Sequence, residues 1–243
     1  PFAWWGLRRL VEERRSPIAF LLASATLITL GYVFGVMLLV VVLVESLIRH
    51  GIRRDRRAVL TILAASVFSG LLTIVVYLPA VLTAPVTIRG SWSVFNAGFL
   101  NADLGDLAAT ATATTTASVG AWGTSQYPAP LLYIAWLLPL FGMLLPAVRA
   151  DLRRLVPVYV FGLVTLLLVT GPSHVGAIRW PIRFMPYLVL AVLIVFAVFA
   201  TRAFTHRIGR RGLGASLIVL AAMSWFSTVI VVSEWRRVAV SAA

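Results

Sequence analysis

Long apolar stretches alternate with short arginine-rich stretches along the whole chain. The apolar stretches are, in order, 18–48, 58–82, 128–148, 156–170, 184–200 and 213–232. Stretches of about 20 apolar residues with few charges are typical of helices that cross the ~30 Å hydrocarbon core of a bilayer. The pattern therefore predicts an all-α, polytopic bundle of transmembrane helices, with about five full spans plus a short helical hairpin.

The first apolar stretch, 18–48, is long for a single span, and arginines flank it on both sides. Because arginine concentrates on the cytoplasmic side, both flanks are expected inside. One interpretation is a hairpin of two arms, each of about 15 residues and roughly 22 Å, that bends at Gly31. The alternative is one long tilted helix. Glu45 lies four residues before Arg49, and this spacing predicts a local ion pair.

The arginines also orient the remaining spans. Of the 21 arginines, 16 fall in segments that we place inside and 5 in segments that we place outside. Residues 83–127 then form an extracytoplasmic segment, and 171–183 form a second outer loop. We treat residues 1–243 as a single transmembrane domain and, because the chain begins at Pro1 and not Met, as a fragment of a longer protein.

Composition agrees with a membrane protein. Hydrophobic residues make up 60% of the chain and charged residues 12%, with a mean hydropathy of +0.97. A soluble domain carries about 25% charged residues, so an ordinary soluble enzyme is excluded. The net charge of +13 lies in clusters between apolar runs, so the expected partner is a lipid bilayer with an anionic inner leaflet, not nucleic acid. Arginine without any lysine is typical of GC-rich actinobacterial genomes, and we expect a bacterial cytoplasmic-membrane protein.

Few residues carry recognisable chemistry. The chain has no cysteine, which excludes disulfides and thiolate metal sites. It has no nucleophile elbow, P-loop or dinucleotide-binding glycine motif. The three histidines are scattered, so no histidine metal site is predicted. His50 and His206 lie within inner arginine clusters, where we expect them to be solvated.

The second outer loop contains the strongest candidate site. His174, Arg179 and Arg183 fall on the outer side, where cations are disfavoured and need a reason. Arginine grips phosphate through paired N–H donors, so these residues predict a clamp for a lipid phosphate. Pro181 and Pro186 are expected to stiffen the chain around Arg183, and the apolar faces of Trp180 and Phe184 are expected to flank a lipid tail or sugar ring. Alternatively, the arginines reach lipid headgroups or pair with acids of the first outer segment.

The acids of that segment are Asp103 and Asp106, three residues apart. On a helix they would share a face, where they would orient a sugar, bind a divalent cation or act as a base. The simpler interpretations are capping of a helix start and an ion pair with the outer arginines.

Three stretches resemble YfhO-like membrane proteins of the GT-C glycosyltransferase superfamily. They are Asn101-Ala-Asp-Leu-Gly-Asp-Leu107, Tyr127-Pro-Ala-Pro-Leu-Leu-Tyr-Ile-Ala-Trp-Leu-Leu-Pro139 and Arg179-Trp-Pro-Ile-Arg-Phe-Met-Pro-Tyr187. Their order is similar to that of the later half of these proteins. The resemblance implies an enzyme that transfers a sugar from a polyprenyl-phosphate donor on the outer face of the membrane, in the modification of cell-envelope glycans.

The resemblance also implies roles for single residues. Only Arg179 and Arg183 are carried over from the family, as residues that would meet the lipid phosphate. Independently of the resemblance, we expect His174 to join them and Trp180 and Tyr127 to line the substrate site. The catalytic acid of the family lies in a first outer loop that has no counterpart here, so the fragment alone is expected to be inactive and to depend on the missing N-terminal part. No cofactor is implied, although a divalent cation fits the acids. The alternatives are a transporter or lipid flippase and a non-catalytic membrane scaffold.

Overall fold

The chain forms two compact units, residues 1–94 and 95–243. The boundary falls inside the predicted extracytoplasmic segment, 83–127. The computed structural model describes residues 1–86, 102–109, 119–121, 124–126, 132–144, 152–171, 174–175, 178–203 and 209–230.

The described part of the first unit is helical. Its helices are α1, Phe2–Val11; α2, Ile18–Thr29; α3, Val33–Ile52; and α4, Arg56–Thr83, which continues into a 3₁₀ turn at Ala84–Val86. Asp55 starts α4, because its side-chain oxygen accepts the backbone N–H of Ala58 at 3.1 Å. This N-cap satisfies one of the donors that a helix start leaves open.

Helix α1 occupies the charged stretch before Ile18, where the apolar pattern predicts no element. One of its faces packs on α2 through Gly6, and a Cβ atom at Gly6 would lie 2.7 Å from the backbone nitrogen of Phe20. Only a residue without a side chain permits this approach. Elsewhere on this helix Phe2 and Trp5 are exposed. An apolar exposed face beside arginines is typical of helices that lie in the membrane interface.

Helices α2 and α3 form a hairpin. Gly31 has a φ of +73°, a left-handed conformation that glycine adopts without strain, and it separates the two helices. At the other end, Arg49 near the end of α3 lies 3.3 Å from Glu12, which precedes α2. The end of α3 therefore lies beside the end of α1, on the side of the hairpin from which the chain enters α2. The bend at Gly31 is confirmed, and the alternative of one long tilted helix is wrong.

The two arms of the hairpin are unequal. Helix α2 has 12 residues and α3 has 20. At 1.5 Å per residue they measure about 18 Å and about 30 Å. The expectation of two equal arms is therefore wrong: the bend comes early, and α3 is long enough to cross a membrane by itself.

The inner end of α3 contains two residues singled out in the sequence. Glu45 and Arg49 form the predicted ion pair, with Oε1 and Nε 3.4 Å apart. His50, in contrast, is only 6% exposed, so its expected solvation is wrong. Leu7 and Arg8 of α1 lie beside it, and this helix covers the ring.

The second unit is also built on helices. Its helices and strands are α5, Leu104–Ala109; β1, Val119–Ala121; β2, Thr124–Gln126; α6, Leu138–Leu144; α7, Val156–Val169; β3, His174–Val175; β4, Ile178–Arg179; α8, Met185–Ala203; and α9, Arg210–Ile230. Short 3₁₀ turns precede α6, α7 and α8, at Ala135–Leu137, Leu152–Leu155 and Pro181–Phe184. The strands form two minimal antiparallel pairs, β1 with β2 and β3 with β4.

Helices α6 and α9 approach each other very closely. A Cβ atom at Gly142 would lie 2.3 Å from the backbone nitrogen of Ser216, and one at Gly212 would lie 3.1 Å from the backbone of Met143. The hydroxyl of Ser216 also donates to the carbonyl oxygen of Pro139. Small residues and a hydroxyl bond across the contact are the usual basis of helix packing in membranes, where apolar side chains gain little by leaving lipid.

In the described part of the chain, four helices are long and apolar enough to cross a membrane. They are Val33–Ile52, Arg56–Val86, Leu152–Val169 and Pro181–Thr201. The last three coincide with predicted spans, so the helical membrane architecture is confirmed in outline. Helix α6 covers only seven residues of the predicted span 128–148, whose flanks lie outside the described residues. The count of five spans plus a hairpin stays a prediction.

Candidate lipid-phosphate site

The segment 180–184 joins β4 to α8 and has an unusual backbone. Trp180 adopts a left-handed conformation, with φ of 64°, and Pro181 follows it as the first residue of a 3₁₀ turn. The backbone N–H of Arg183 donates to the carbonyl oxygen of Trp180 at 3.1 Å. A bulky residue with positive φ is strained, so the surrounding structure must hold it in place. The turn therefore presents Arg183 from a constrained backbone.

Phe184 anchors this turn. Its side chain is only 1% exposed, and Pro181 and Met185 beside it are also buried. The turn packs against α7 and the start of α8. The expectation that Phe184 offers an apolar face to a ligand is therefore wrong, because its ring is buried where the turn packs against α7 and α8.

Arg183, in contrast to the buried Phe184, is exposed. Its guanidinium carbon lies 4.3 Å from the centre of the Trp180 ring. Stacking on an aromatic face uses the flat side of the guanidinium, whereas hydrogen bonds to phosphate use its edge. The ring also restricts the arginine rotamers, which lowers the entropy lost when an anion binds. The two residues form a preorganised cation at the start of α8.

His174 and Arg179 are brought together by backbone register. They are directly partnered residues of the antiparallel pair β3–β4, next to Val175 and Ile178. The structure describes their backbone only. Arg179 directly precedes the strained Trp180, so the strand pair leads straight into the turn that carries Arg183. Three of the candidate residues thus follow one another in a single hairpin and turn.

Asp103 and Asp106 cap a helix. The backbone N–H of Asp106 donates to Oδ1 of Asp103 at 2.8 Å, and the N–H of Asp103 donates to Oδ2 of Asp106 at 3.0 Å. This reciprocal arrangement is a capping box at the start of α5. Among the described residues, neither carboxylate forms an ion pair with an arginine. Of the simpler interpretations, capping is confirmed and pairing with Arg183 is not found.

Asp106 lies in a partly dry environment. Burial raises the pKa of its carboxyl above the ordinary value, the hydrogen bond from the Asp103 N–H opposes this, and the neighbouring Asp103 charge adds to it. Helix α5 packs against α9 and buries Ala102, Leu107 and Ala108. The acids therefore belong to a helix packed on α9, whereas the Arg183 turn packs on α7 and α8.

An apolar groove runs between α7 and α8, with a volume of about 380 Å³. On α7 its lining extends from Val158 to Leu166, and on α8 from Leu188 to Phe199. Gly162 and Ala191 both line the groove at a point where the helices approach closely, because a Cβ atom at Gly162 would lie 3.2 Å from the Cβ of Ala191. The hydropathy pattern does not predict this groove. The feature of the sequence that could have indicated it is the presence of two small residues, Gly162 and Ala191, within helices of otherwise bulky apolar residues.

Two further sequence-based predictions concern Tyr127 and a divalent cation. Tyr127, the second predicted substrate-lining residue, lies outside the described residues. Among the residues that the structure describes, no group of three or more His, Asp or Glu side chains is placed to hold a metal ion. Asp103 and Asp106 form a cluster of two only.

Comparisons with protein-family models, curated proteins and solved structures find no match.

Proposed function

We propose that this chain is part of an integral-membrane glycosyltransferase that uses a polyprenyl-phosphate sugar donor at the outer face of a bacterial cytoplasmic membrane. The product would be a modified cell-envelope glycan. The observation that carries the proposal is the exposed Arg183 stacked on Trp180. This cation lies at the head of a helix whose side lines an apolar groove.

The position of Arg183 relative to the groove suits a lipid with an anionic head. Arg183 precedes Leu188, the first groove residue of α8, by fewer than two helical turns. From Leu188 to Phe199 the helix rises about 16 Å, roughly half of a ~30 Å hydrocarbon core. A groove of this depth accommodates one chain within one leaflet. A phosphate at Arg183 and an isoprenoid tail in the groove would satisfy both features at once.

The chemistry needs a cation where charge develops. As the acceptor hydroxyl attacks the anomeric carbon, the bond between that carbon and the phosphate oxygen breaks, and the phosphate leaves with the electron pair. Arg183 would stabilise the departing charge, with Arg179 and His174 as further candidates. A base must take the proton of the acceptor. Asp103 and Asp106 already accept backbone N–H groups, so we expect the base elsewhere in the full-length protein.

Binding of undecaprenyl phosphate to the protein in nanodiscs tests the head of the site. Arg183→Ala should weaken binding roughly 10- to 100-fold, the usual effect of losing hydrogen bonds to a charged group. Arg183→Lys should recover only part, because an ammonium lacks the planar fork. Arg153→Ala is the matched control, since Arg153 is also an exposed arginine on a 3₁₀ turn, at the opposite end of α7. Equal affinity of the Arg183→Ala variant and the wild type would refute the phosphate role.

A second pair of variants tests the groove. Val195→Phe places a larger ring into the groove, whereas Leu193→Phe adds the same ring to α8 at an exposed position that does not line it. Val195→Phe should weaken binding of undecaprenyl phosphate and leave that of a short-chain phosphate, farnesyl phosphate, nearly unchanged. Arg183→Ala should weaken both. If both ring variants behave alike, the tail does not lie in this groove.

A further inference from the structure

A separate basic pocket lies in the first unit, far along the chain from Arg183. It has a volume of about 140 Å³, many times the space that one water needs. Three arginines, Arg14, Arg15 and Arg57, line it together with Asp55. The remaining lining comes from α1 and the first turns of α4, namely Leu10, Val11, Ala58 and Thr61.

Two arginines with a strained backbone lie in or next to the lining of the pocket: Arg14 lines it, and Arg54 directly precedes Asp55, which also lines it. Arg14 and Arg54 have φ of 54° and 56°, and the structure describes only one other residue besides glycine with positive φ, Trp180. Such a backbone costs of the order of 1 kcal/mol or more per residue. Backbone bonds hold each one: Arg15 N–H donates to the Arg9 carbonyl at 3.0 Å, and Asp55 N–H donates to the His50 carbonyl at 3.1 Å. Strain of this kind fixes where the neighbouring side chains emerge.

The charge in the pocket is not balanced from within. Asp55 already accepts the N–H of Ala58, and its other oxygen lies 3.7 Å from Nδ1 of His50. Arg15 lies 3.9 Å from Glu13. Within the described residues, the side chains of Arg14 and Arg57 have no carboxylate within ion-pair distance. Two cations without a counterion therefore face one small polar pocket, which suits a phosphate group.

The surroundings point to a lipid as the carrier of that phosphate. On α1, which contributes Leu10 and Val11, the rings of Phe2 and Trp5 are 76% and 52% exposed. Arg9 lies over the Trp5 ring at 4.7 Å. Tryptophan beside arginine is typical of the depth of lipid headgroups. Beyond the pocket, α4 exposes Leu60, Leu63 and Val67, which suits contact with acyl chains.

We propose that this pocket binds the phosphate of an anionic phospholipid headgroup, on the side of the membrane that the sequence predicts to be cytoplasmic. The same chemistry would recognise the phosphate of a soluble ester. The lipid is favoured by the exposed apolar surface beside the pocket. The inference does not depend on the donor site at Arg183, because the two sites share no residue.

Native mass spectrometry of the protein with phosphatidylglycerol and phosphatidylcholine tests the proposal. The double variant Arg14→Gln/Arg57→Gln should weaken phosphatidylglycerol binding at least roughly tenfold. The matched control is Arg53→Gln/Arg56→Gln, which removes the same charge from the link between α3 and α4 and the start of α4 but does not touch the pocket lining. The control should lose less than about threefold, because it changes only the general field. Equal losses in both variants would mean diffuse attraction, and the pocket would be refuted.

Two measurements on the wild-type chain complete the test. A photoreactive phosphatidylglycerol with its reactive group in the headgroup should label the peptides around residues 14–15 and 55–61. Glycerophosphoglycerol, the same headgroup without acyl chains, should not displace the lipid at equal concentration; efficient displacement would identify a soluble ester as the ligand and overturn the lipid assignment. Labelling elsewhere, or equal binding of phosphatidylcholine, would overturn the site. Weakened undecaprenyl phosphate binding in Arg183→Ala with normal phosphatidylglycerol binding would separate the two proposals.

Discussion

Nη1 of Arg49 lies 3.3 Å from Oε1 of Glu12, a residue 37 positions earlier in the chain. The same guanidinium pairs with Glu45 one turn before it, at 3.4 Å from Nε. Arg49 thus joins the end of α1 to the end of α3 and neutralises Glu45, a carboxylate whose side chain is only 11% exposed. A cation shared by two acids at the base of a hairpin ties its ends together.

Removal of Arg49 should destabilise the first unit. Arg49→Gln leaves Glu45 without its cation in a poorly hydrated position, which should lower the free energy of unfolding by about 1–3 kcal/mol. Arg8→Gln is the control. Arg8 also pairs with Glu12, at 2.9 Å, but it is largely exposed and lies four residues away on the same helix, so its loss should cost about 0.5 kcal/mol or less. Thermal unfolding in detergent, followed by circular dichroism, compares them. Equal effects would mean that Arg49 is an ordinary surface residue.

Glu12 should make this stability depend on pH. Burial raises the pKa of its carboxyl, but hydrogen bonds and charges from Arg8 and Arg49 outweigh this and hold the pKa below the ordinary 4.5. The stabilisation is therefore fully present above pH 4.5 and is lost as the pH falls through the lower pKa of the folded state. Unfolding temperatures of the wild type should fall more steeply below pH 4.5 than those of Glu12→Gln. Parallel curves would contradict this prediction.

The close contact of α6 with α9 should tolerate no side chain at Gly142. A methyl group there would meet the backbone of Ser216, so Gly142→Ala should cost about 1–3 kcal/mol through forced separation of the helices. Gly214→Ala is the control, because nothing lies within 4 Å of that position on α9. It should raise stability by up to about 1 kcal/mol, since alanine is the better helix former. Opposite signs in chemical unfolding support the contact, and equal signs contradict it.

The capping box predicts different results for its two acids. Asp103→Ala removes the N-cap of α5 and should cost about 0.5–2 kcal/mol. Asp106→Asn keeps an acceptor oxygen. Because the folded-state pKa of Asp106 is raised, its stabilising contribution is present only at low pH and is lost as the pH rises through that pKa. At pH 7 the neutral amide should therefore be at least as stable as the carboxylate. Loss of sugar transfer by a folded Asp106→Asn protein would instead indicate a catalytic acid.

The features that could be predicted from the sequence are local ones. The bend at Gly31 follows from one residue, and the pairing of Glu45 with Arg49 follows from their spacing on a helix. Apolar stretches predicted the positions of α4, α7 and α8 because burial in lipid requires continuous hydrophobicity. These signals need no knowledge of how helices pack.

The features that could not be predicted depend on contacts between distant parts of the chain. His50 lies in an arginine cluster, yet α1 covers it, and the contact of Gly6 with Phe20 that docks this helix leaves no trace in a hydropathy pattern. Phe184 is a second residue whose burial depends on contacts with distant parts of the chain. Its neighbours in sequence are candidate ligand residues, but the packing of the turn on α7 and α8 buries its ring.

The unequal hairpin predicts where its tip lies. Helix α2 rises only about 18 Å, and in α3 the stretch from Val33 to Arg49 rises about 24 Å. With Arg49 held at the inner headgroups, an upright hairpin therefore ends short of the far side of a ~30 Å core. The chain contains no cysteine, so single cysteines can report on depth. In intact cells, Leu30→Cys at the tip should resist an impermeant thiol reagent added outside, and so should Arg54→Cys at the base. Val86→Cys, at the exposed end of the long helix α4, should be labelled.

After permeabilisation Arg54→Cys should react while Leu30→Cys stays protected. Labelling of Leu30→Cys from outside would show that the tip crosses the membrane. Labelling of Arg54→Cys from outside would show that the first unit has the opposite orientation to the predicted one.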